Sequence, residues 1–359
     1  MSSRIVRSCA SIAVTALCAA CGGGGGSGGS SGAGSPSFSG GVTTLTLVAG
    51  SAGEAGNIDA TGAAARFGHP AGIASDTAGN LYVADRDNCS IRRIDTAGVV
   101  SSLAGSPQRC QSIDGAAGVA GFSFLTAIAA SPDGRLYATD GLTVREIDQA
   151  GTVRTIATLD TATVANAADI PYFYGGGIAV DGFANVVVAN AIGVRKISPA
   201  GAVTMIDGVA RLDNIASVLG SHAFQPRGVA AAKDGTVYVG DFASTVSRID
   251  TAGTKMALAG LSGGRGFADG VAGAARFDHV IALTLDAAGN LYAADAGNDL
   301  VRRIAPDRTV STVAGTIGAT THRLGNGPGA LPALGGLAGD GKGNLYAISG
   351  NAVVKITPP

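Results

Sequence analysis

Short apolar runs recur along this chain, each entered through a Gly/Asp/Asn turn and followed by a run mixing basic and apolar residues. The apolar runs are LYVAD (81–85), LYATD (136–140), VVVAN (186–190), VYVGD (237–241), LYAAD (291–295) and LYAIS (345–349). The mixed runs are IRRI (91–94), VREI (144–147), VRKI (194–197), VSRI (246–249), VRRI (301–304) and VVKI (353–356). In IRRI, polar side chains stand between apolar ones, the alternation of a strand with one face partly in contact with solvent. The LYVA runs are more continuously apolar and belong deeper. A fourth run closes most units, as in VVSSLAG, TVRTIA, AVTMI, TKMALAG and TVSTVAG. No helical periodicity persists over a useful length.

Four short strands joined by Asp/Gly turns make a small antiparallel sheet. Aligned on the aspartate of the first turn, the units fall at Asp76, Asp133, Asp181, Asp234, Asp286 and Asp340, spaced by 57, 48, 53, 52 and 54 residues. Such sheets set radially around an axis form a β-propeller. The sixth unit stops at ITPP (356–359) with its fourth strand missing, and TTLTLVAG (43–50) matches the fourth strands of other units. Docked beside 353–356, that segment closes the ring and leaves no terminal edge unpaired. The expectation is an all-β, six-bladed propeller of four-stranded antiparallel blades, closed by strand 43–50.

The segments ARFGHPAGIASDTAGNLYVADRDNCSIRRID in the first unit and ARFDHVIALTLDAAGNLYAADAGNDLVRRIA in the fifth resemble the NHL-repeat propellers. The other units are more degenerate, and the sixth lacks the ARF element. The resemblance covers 43–357 and implies the fold. For function it implies a range, from binding modules and sensor ectodomains to a few lyases and hydrolases.

Residues 1–20 read as an export signal, with Arg4 and Arg7 ahead of a short apolar core at Ile12–Ala20. The Ala19-Ala20-Cys21-Gly22 junction looks like a bacterial lipobox, although Cys18 occupies the position where Leu is usual. Cys21 would then carry lipid, and the Gly/Ser-rich stretch 21–40 would tether a propeller spanning 41–359. The expected location is a bacterial cell envelope, anchored to the outer membrane; a periplasmic or secreted protein is the alternative. Cys89 and Cys110 remain as an even pair in an oxidising compartment, which favours a disulfide. Twenty-five basic and 26 acidic residues leave no nucleic-acid surface to expect. The membrane enters only through the N-terminal lipid.

Strand order assigns the turns to two faces. The first-to-second and third-to-fourth turns are short and uniform, and read as construction: Gly supplies positive φ while Asp or Asn bonds back to the backbone. The opposite face carries the second-to-third turns and the long connections, at roughly 51–71, 106–125, 158–176, 207–227, 261–279 and 316–335. Long loops on a rigid scaffold are where specificity usually resides. Cys89 and Cys110 both fall on this face.

Its candidate ligand contacts are Tyr172 and Tyr174 in PYFYGGG, Arg66 and Arg276 of the ARF elements, and His69 and His279 at equivalent strand entries. Tyrosine rings suit a peptide, a glycan or a protein partner. The arginines either hold loop carbonyls or grip a ligand carboxylate, and Asp59 and Asp269 either cap the loop or pair with them. The histidines either pack in their turns or converge on a ligand. No metal set, cofactor motif or catalytic residue emerges: the GGG after Tyr174 lacks the Lys-Ser/Thr of a phosphate loop, and the Asp/Asn turns lack an EF-hand's ligand ladder. A non-enzymatic binding or interaction scaffold is the expectation; a metal-assisted lyase or lactone hydrolase at the central opening is the alternative.

Overall fold

The computed structural model describes residues 42–159, 176–190, 193–208 and 226–359. Six antiparallel sheets make up this region, and every unit read in the sequence is one blade. Blade 1 consists of Pro70–Ser75, Leu81–Asp85, Ser90–Ile94 and Val100–Gly105, numbered from the axis outward. The innermost strands of blades 2 to 6 are Leu125–Ala130, Ile178–Val180, Pro226–Ala231, Val280–Leu285 and Leu334–Gly339. Each packs against the innermost strands on either side, and Leu334–Gly339 meets Pro70–Ser75 to complete the circle.

Thr44–Gly50 pairs antiparallel with Ala352–Thr357 and supplies the outer strand of blade 6, as the missing strand required. Two blades go beyond four strands: Gly270–Val271 adds to the edge of blade 5, and Gly325–Asn326 to that of blade 6. In blades 1 and 2 the preceding connection makes single bridges at the start of the outer strand, Thr61 to Val99 just before it and Gly115 to Val153 within it. Long connections thus shield sheet edges that would otherwise expose unpaired amides.

The first turns show why the sequence repeat was uneven. The residue whose amide bonds back across this turn is Asp76, Ser131, Asp181, Ala232, Asp286 or Asp340. Asp133 and Asp234 sit two residues further on, inside the turn, so aligning on them shifted blades 2 and 4 by two positions. In Asp76, burial opposes ionisation, but hydrogen bonds from the Asn80 side chain and amide and from the Tyr82 hydroxyl outweigh it and hold the carboxyl below the usual range. Gly79 sits at φ 94° in this turn; in blade 3 its place is taken by Ala184, at φ 59°.

The second strands are buried along their whole length in blades 1, 2, 3 and 5 because blades pack face to face. One apolar cluster joins Ala74, Tyr82, Ala84 and Ile91 of blade 1 to Phe122, Leu125, Ile128 and Leu136 around blade 2. Each fully buried aliphatic of this size contributes about 1.5–3 kcal/mol.

The third strands depart from the sequence reading. Arg92, Arg145 and Arg302 are fully buried rather than facing solvent. Each donates to a buried aspartate closing the second strand: Arg92 Nη1 to Asp85 at 2.8 Å, Arg145 Nη1 to Asp140 at 2.8 Å, Arg302 Nη1 to Asp295 at 2.9 Å. Each guanidinium also lies over a phenylalanine of the preceding connection, Phe67, Phe122 or Phe277, at 5.0–5.4 Å from the ring centroid. A second acid from that connection completes each cluster: Asp59, Asp114 or Asp269. The clusters bind connection to blade, and a buried guanidinium is tolerated there because it is paired and hydrogen-bonded. Blade 6 dispenses with the charges: Ser349 stands at the aspartate position and Val354 at the arginine position, with His322 Nε2 2.6 Å from the Ser349 hydroxyl.

Among the described residues no helix is long and apolar enough to cross a membrane.

Candidate functional site at the axial cavity

Six innermost strands enclose a channel along the axis. Branched aliphatics at equivalent positions narrow it: Ile73, Ile128, Ile178, Val229, Leu283 and Leu337, which line the space on both sides of the constriction. Directly before them in sequence stand only Gly or Ala: Gly72, Ala127, Gly177, Gly228, Ala282 and Gly336. A Cβ on Gly72 would lie 2.7 Å from the Ala127 Cα, so the strands pass too close for a side chain there.

The two halves of the channel differ in chemistry. The half at the short-turn face holds about 210 Å³, and its described lining is aliphatic, with Ser75, Thr284 and Gly339 as its only other members. The half at the long-loop face holds about 440 Å³, within the usual range for small-molecule sites. Arg86, Arg227, Phe124 and Phe242 are among its walls; among the described residues none of its lining is acidic and none is histidine.

These four side chains form two cation–π pairs. The Arg86 guanidinium lies 5.9 Å from the Phe124 centroid, joining the second-to-third turn of blade 1 to the entry of blade 2. The Arg227 guanidinium lies 5.6 Å from the Phe242 centroid, both within blade 4. Burial lowers the pKa of Arg227 from its ordinary value. Such contacts strengthen as water is excluded, from about 0.5–1 kcal/mol at exposed sites to about 2 kcal/mol.

Neither His69 nor His279 lines the cavity; His279 touches one of these pairs, and His69 reaches the other through Asp87. His69 Nδ1 is 2.5 Å from Asp87 Oδ2, and Asp87 Oδ1 is 3.4 Å from Arg86 Nε. The His279 ring lies 3.9 Å from the Phe242 ring, tilted by 55°, and its Nδ1 is 2.9 Å from Asp278 Oδ1. Both histidines adopt the left-handed backbone, at φ 47° and 61°, a region in which His is enriched among non-glycine residues.

Arg66 and Arg276 lie outside the cavity. Arg66 Nη1 donates to the carbonyls of Ala63 and Ala65 at 2.7 and 2.8 Å, and its Nη2 pairs with Glu54. Arg276 Nη1 donates to the carbonyls of Gly273 and Ala275 at 2.6 and 2.8 Å. Asp59 and Asp269 turn instead to the buried Arg92 and Arg302. Tyr172 and Tyr174 lie outside the described residues, as does Cys21.

Cys89 and Cys110 form a disulfide with Cα atoms 5.3 Å apart, tying the second-to-third turn of blade 1 to the connection leading to blade 2. The bridge thus fastens the turn that carries Arg86 to the connection that leads to Phe124. Sequence reasoning missed Arg86, Phe124, Arg227 and Phe242. A signal existed for two of them: directly after the second strand, blades 2, 5 and 6 carry Gly141, Ala296 and Gly350, where blades 1 and 4 carry Arg86 and Phe242.

As chemistry, this cavity offers fixed positive charge, aromatic faces and an aliphatic floor. Among the described residues no three of His, Cys, Asp and Glu gather into a group able to hold a metal ion, and the described lining holds no histidine or carboxylate.

Known structures share this fold. A protein of unknown function from Bacteroides thetaiotaomicron VPI-5482 is 21% identical with a TM-score of 0.68, over 88% of this chain and 76% of its own. An auxiliary nutrient binding protein from the same organism is 14% identical with a TM-score of 0.63, again over 88% and 76%. A virginiamycin B lyase from Staphylococcus aureus is 12% identical with a TM-score of 0.53, over 88% of this chain and all of its own. Identities this low show likeness of fold alone. No curated protein sequence matches the chain. Residues 67–94 match the NHL repeat, and the six-bladed propeller around them is consistent with that repeat family.

Proposed function

We propose that this protein is a non-enzymatic binding scaffold displayed in a bacterial envelope, recognising its partner on the long-loop face. The observation that carries this reading is the asymmetry of the channel. Cationic and aromatic side chains gather in the half that opens among the long connections, and the described side chains of the other half are almost wholly aliphatic. The fold is shared with an auxiliary nutrient binding protein, which supports a binding role. A peptide, glycan or protein partner would contact the connections around the mouth, with Tyr172, Tyr174, His69, His279, Arg66 and Arg276 as the proposed contacts. Anchoring through lipid on Cys21, after removal of residues 1–20, is part of the same proposal.

The enzyme reading, a metal-assisted lyase or lactone hydrolase at the central opening, draws on the fold shared with virginiamycin B lyase. It requires converging His, Asp or Glu side chains around the axis, and the described lining supplies arginines instead. Metal analysis of native, unchelated protein separates the two readings. Stoichiometric metal lost on substitution of axial residues would sink the scaffold reading; protein without stoichiometric metal that retains partner capture sustains it. Mass measurement of the mature N-terminus tests the anchor: a lipid adduct on Cys21 is expected, and a free N-terminus elsewhere refutes it.

A further inference from the structure

We propose that Asn326, followed by Gly327 on the hairpin that clasps the closing strand, is a self-modification site. Its amide converts to aspartate and isoaspartate at a rate the closing strand restrains. The proposal is independent of the binding face and concerns how blade 6 stays closed.

Sequence argues first. Of the chain's twelve asparagines, Asn326 alone is followed by glycine. Cyclisation needs the backbone nitrogen of the next residue to reach the side-chain carbonyl carbon, and a Cβ on that residue obstructs the approach. Gly327 has none, and at φ 113° it holds a conformation that suits glycine.

Position argues second. Arg323 bridges Ala330 to make the hairpin, and Asn326 is exposed on it, open to water. Other asparagines are committed to construction: Asn80, Asn185, Asn290 and Asn344 each donate Nδ2 to the aspartate of their own turn at 2.6–2.8 Å. Asn326 is held instead through Oδ1, which accepts from the Thr44 hydroxyl at 3.1 Å.

The step needs only water. Gly327 N loses its proton to solvent and attacks Asn326 Cγ; the new C–N bond closes a succinimide as the Cγ–Nδ2 bond breaks and ammonia leaves. Water then opens the ring. Hydrolysis at Cγ gives aspartate, and hydrolysis at the backbone carbonyl gives isoaspartate. Nothing is oxidised or reduced.

Coupling argues third. The Gly327 amide donates to the Thr43 carbonyl at 2.8 Å, so it must leave the closing strand's approach before it can attack. Thr44 and Leu45 pair with Asn326 and Gly325, and the docked strand therefore restrains both reacting groups. Isoaspartate routes the main chain through Cγ and lengthens it by one carbon. A strand of two residues cannot keep its pairing with Thr44 and Leu45 across such an insertion.

The test incubates the full chain for weeks in mildly alkaline buffer and follows its tryptic peptides by mass spectrometry. Cleavage after Arg323 and Lys342 releases residues 324–342, whose one side-chain amide is Asn326. This peptide should gain the mass of an amide-to-acid conversion at least tenfold faster than peptides carrying the other asparagines. It should also separate into aspartate and isoaspartate forms. In N326Q, whose longer side chain must close a larger ring, the gain should vanish. Synthetic peptide 324–342, free of Thr43, should react faster than the folded chain. Aged wild type should melt below fresh protein, and aged N326Q should not. A gain no faster than elsewhere in the chain, or one that persists in N326Q, would overturn the site. Equal rates in peptide and folded chain, or an unchanged melt after ageing, would overturn its coupling to the closing strand.

Discussion

Arg302 and Asp295 meet at 2.9 Å with both side chains fully withdrawn from solvent, beneath a connection that begins more than thirty residues earlier in the chain. Removing one partner of a buried ion pair leaves the other uncompensated, at a cost of about 3–5 kcal/mol. Arg302→Met should show a loss of this size in urea unfolding followed by circular dichroism. Blade 6 already uses Ser349 and Val354 at these positions, so the double variant Asp295→Ser with Arg302→Val should lose less than Arg302→Val alone. Additive losses would contradict the coupling.

The same aspartate makes stability depend on pH in an unusual direction. Burial pushes its carboxyl up to about 6 from 3.8, against opposing hydrogen bonds from Asn298 and the Asp278 amide and the charge of Arg302. The folded state therefore holds this proton more tightly than the unfolded state. Its contribution is fully present below about pH 4 and is lost as pH rises through 6. Asp76, Asp286 and Asp340 act oppositely, since their lowered values stabilise above about pH 4 and cease to do so on acidification. The stability of the wild type relative to Asp295→Asn should fall between pH 4 and 7 by up to about 3 kcal/mol, at about 1.4 kcal/mol per pKa unit. A difference that is flat with pH would refute this assignment.

The Cys89–Cys110 bridge spans 21 residues of sequence. A cross-link of this length restricts the unfolded chain by about 3 kcal/mol in the loop-entropy model. Replacing both cysteines with serine should lower the midpoint of thermal unfolding by several degrees. The propeller's circular dichroism spectrum should persist, because the bridge fastens a connection rather than a strand.

Ala184 occupies the left-handed region at φ 59°, where equivalent turns such as that of Gly79 use glycine. That conformation costs an L-residue about 1–2 kcal/mol, partly offset by the greater freedom of glycine in the unfolded chain. Ala184→Gly should therefore stabilise by about 0.5–1 kcal/mol in denaturant titrations.

The fold was legible in the sequence because turn chemistry and apolar runs repeat together. Asp76, Asn80 and Gly79 specify one turn, and LYVAD can only be an interior strand. The register of blades 2 and 4 was not, because Asp133 and Asp234 imitate the marker from two residues inside the turn. Nor was the burial of Arg92, Arg145 and Arg302: alternation reports polarity, while their partners Asp59, Asp114 and Asp269 lie some 31–33 residues away. The cavity was the least legible feature. Arg86 and Phe242 interrupt the repeat at one blade each, and they acquire a common address only once the six inner strands close around an axis. His69 and His279 did repeat, and they stand beside the cavity's cation–π pairs rather than within it.

The closing strand has a direction as well as a place. Thr44 lies opposite Thr357 and Gly50 opposite Ala352, so the strand starts at the short-turn face and ends at the long-loop face. The C-terminal strand finishes at the short-turn face as well. Thr44 and Thr357 therefore share the short-turn face, and the mouth of the cavity opens on the opposite face.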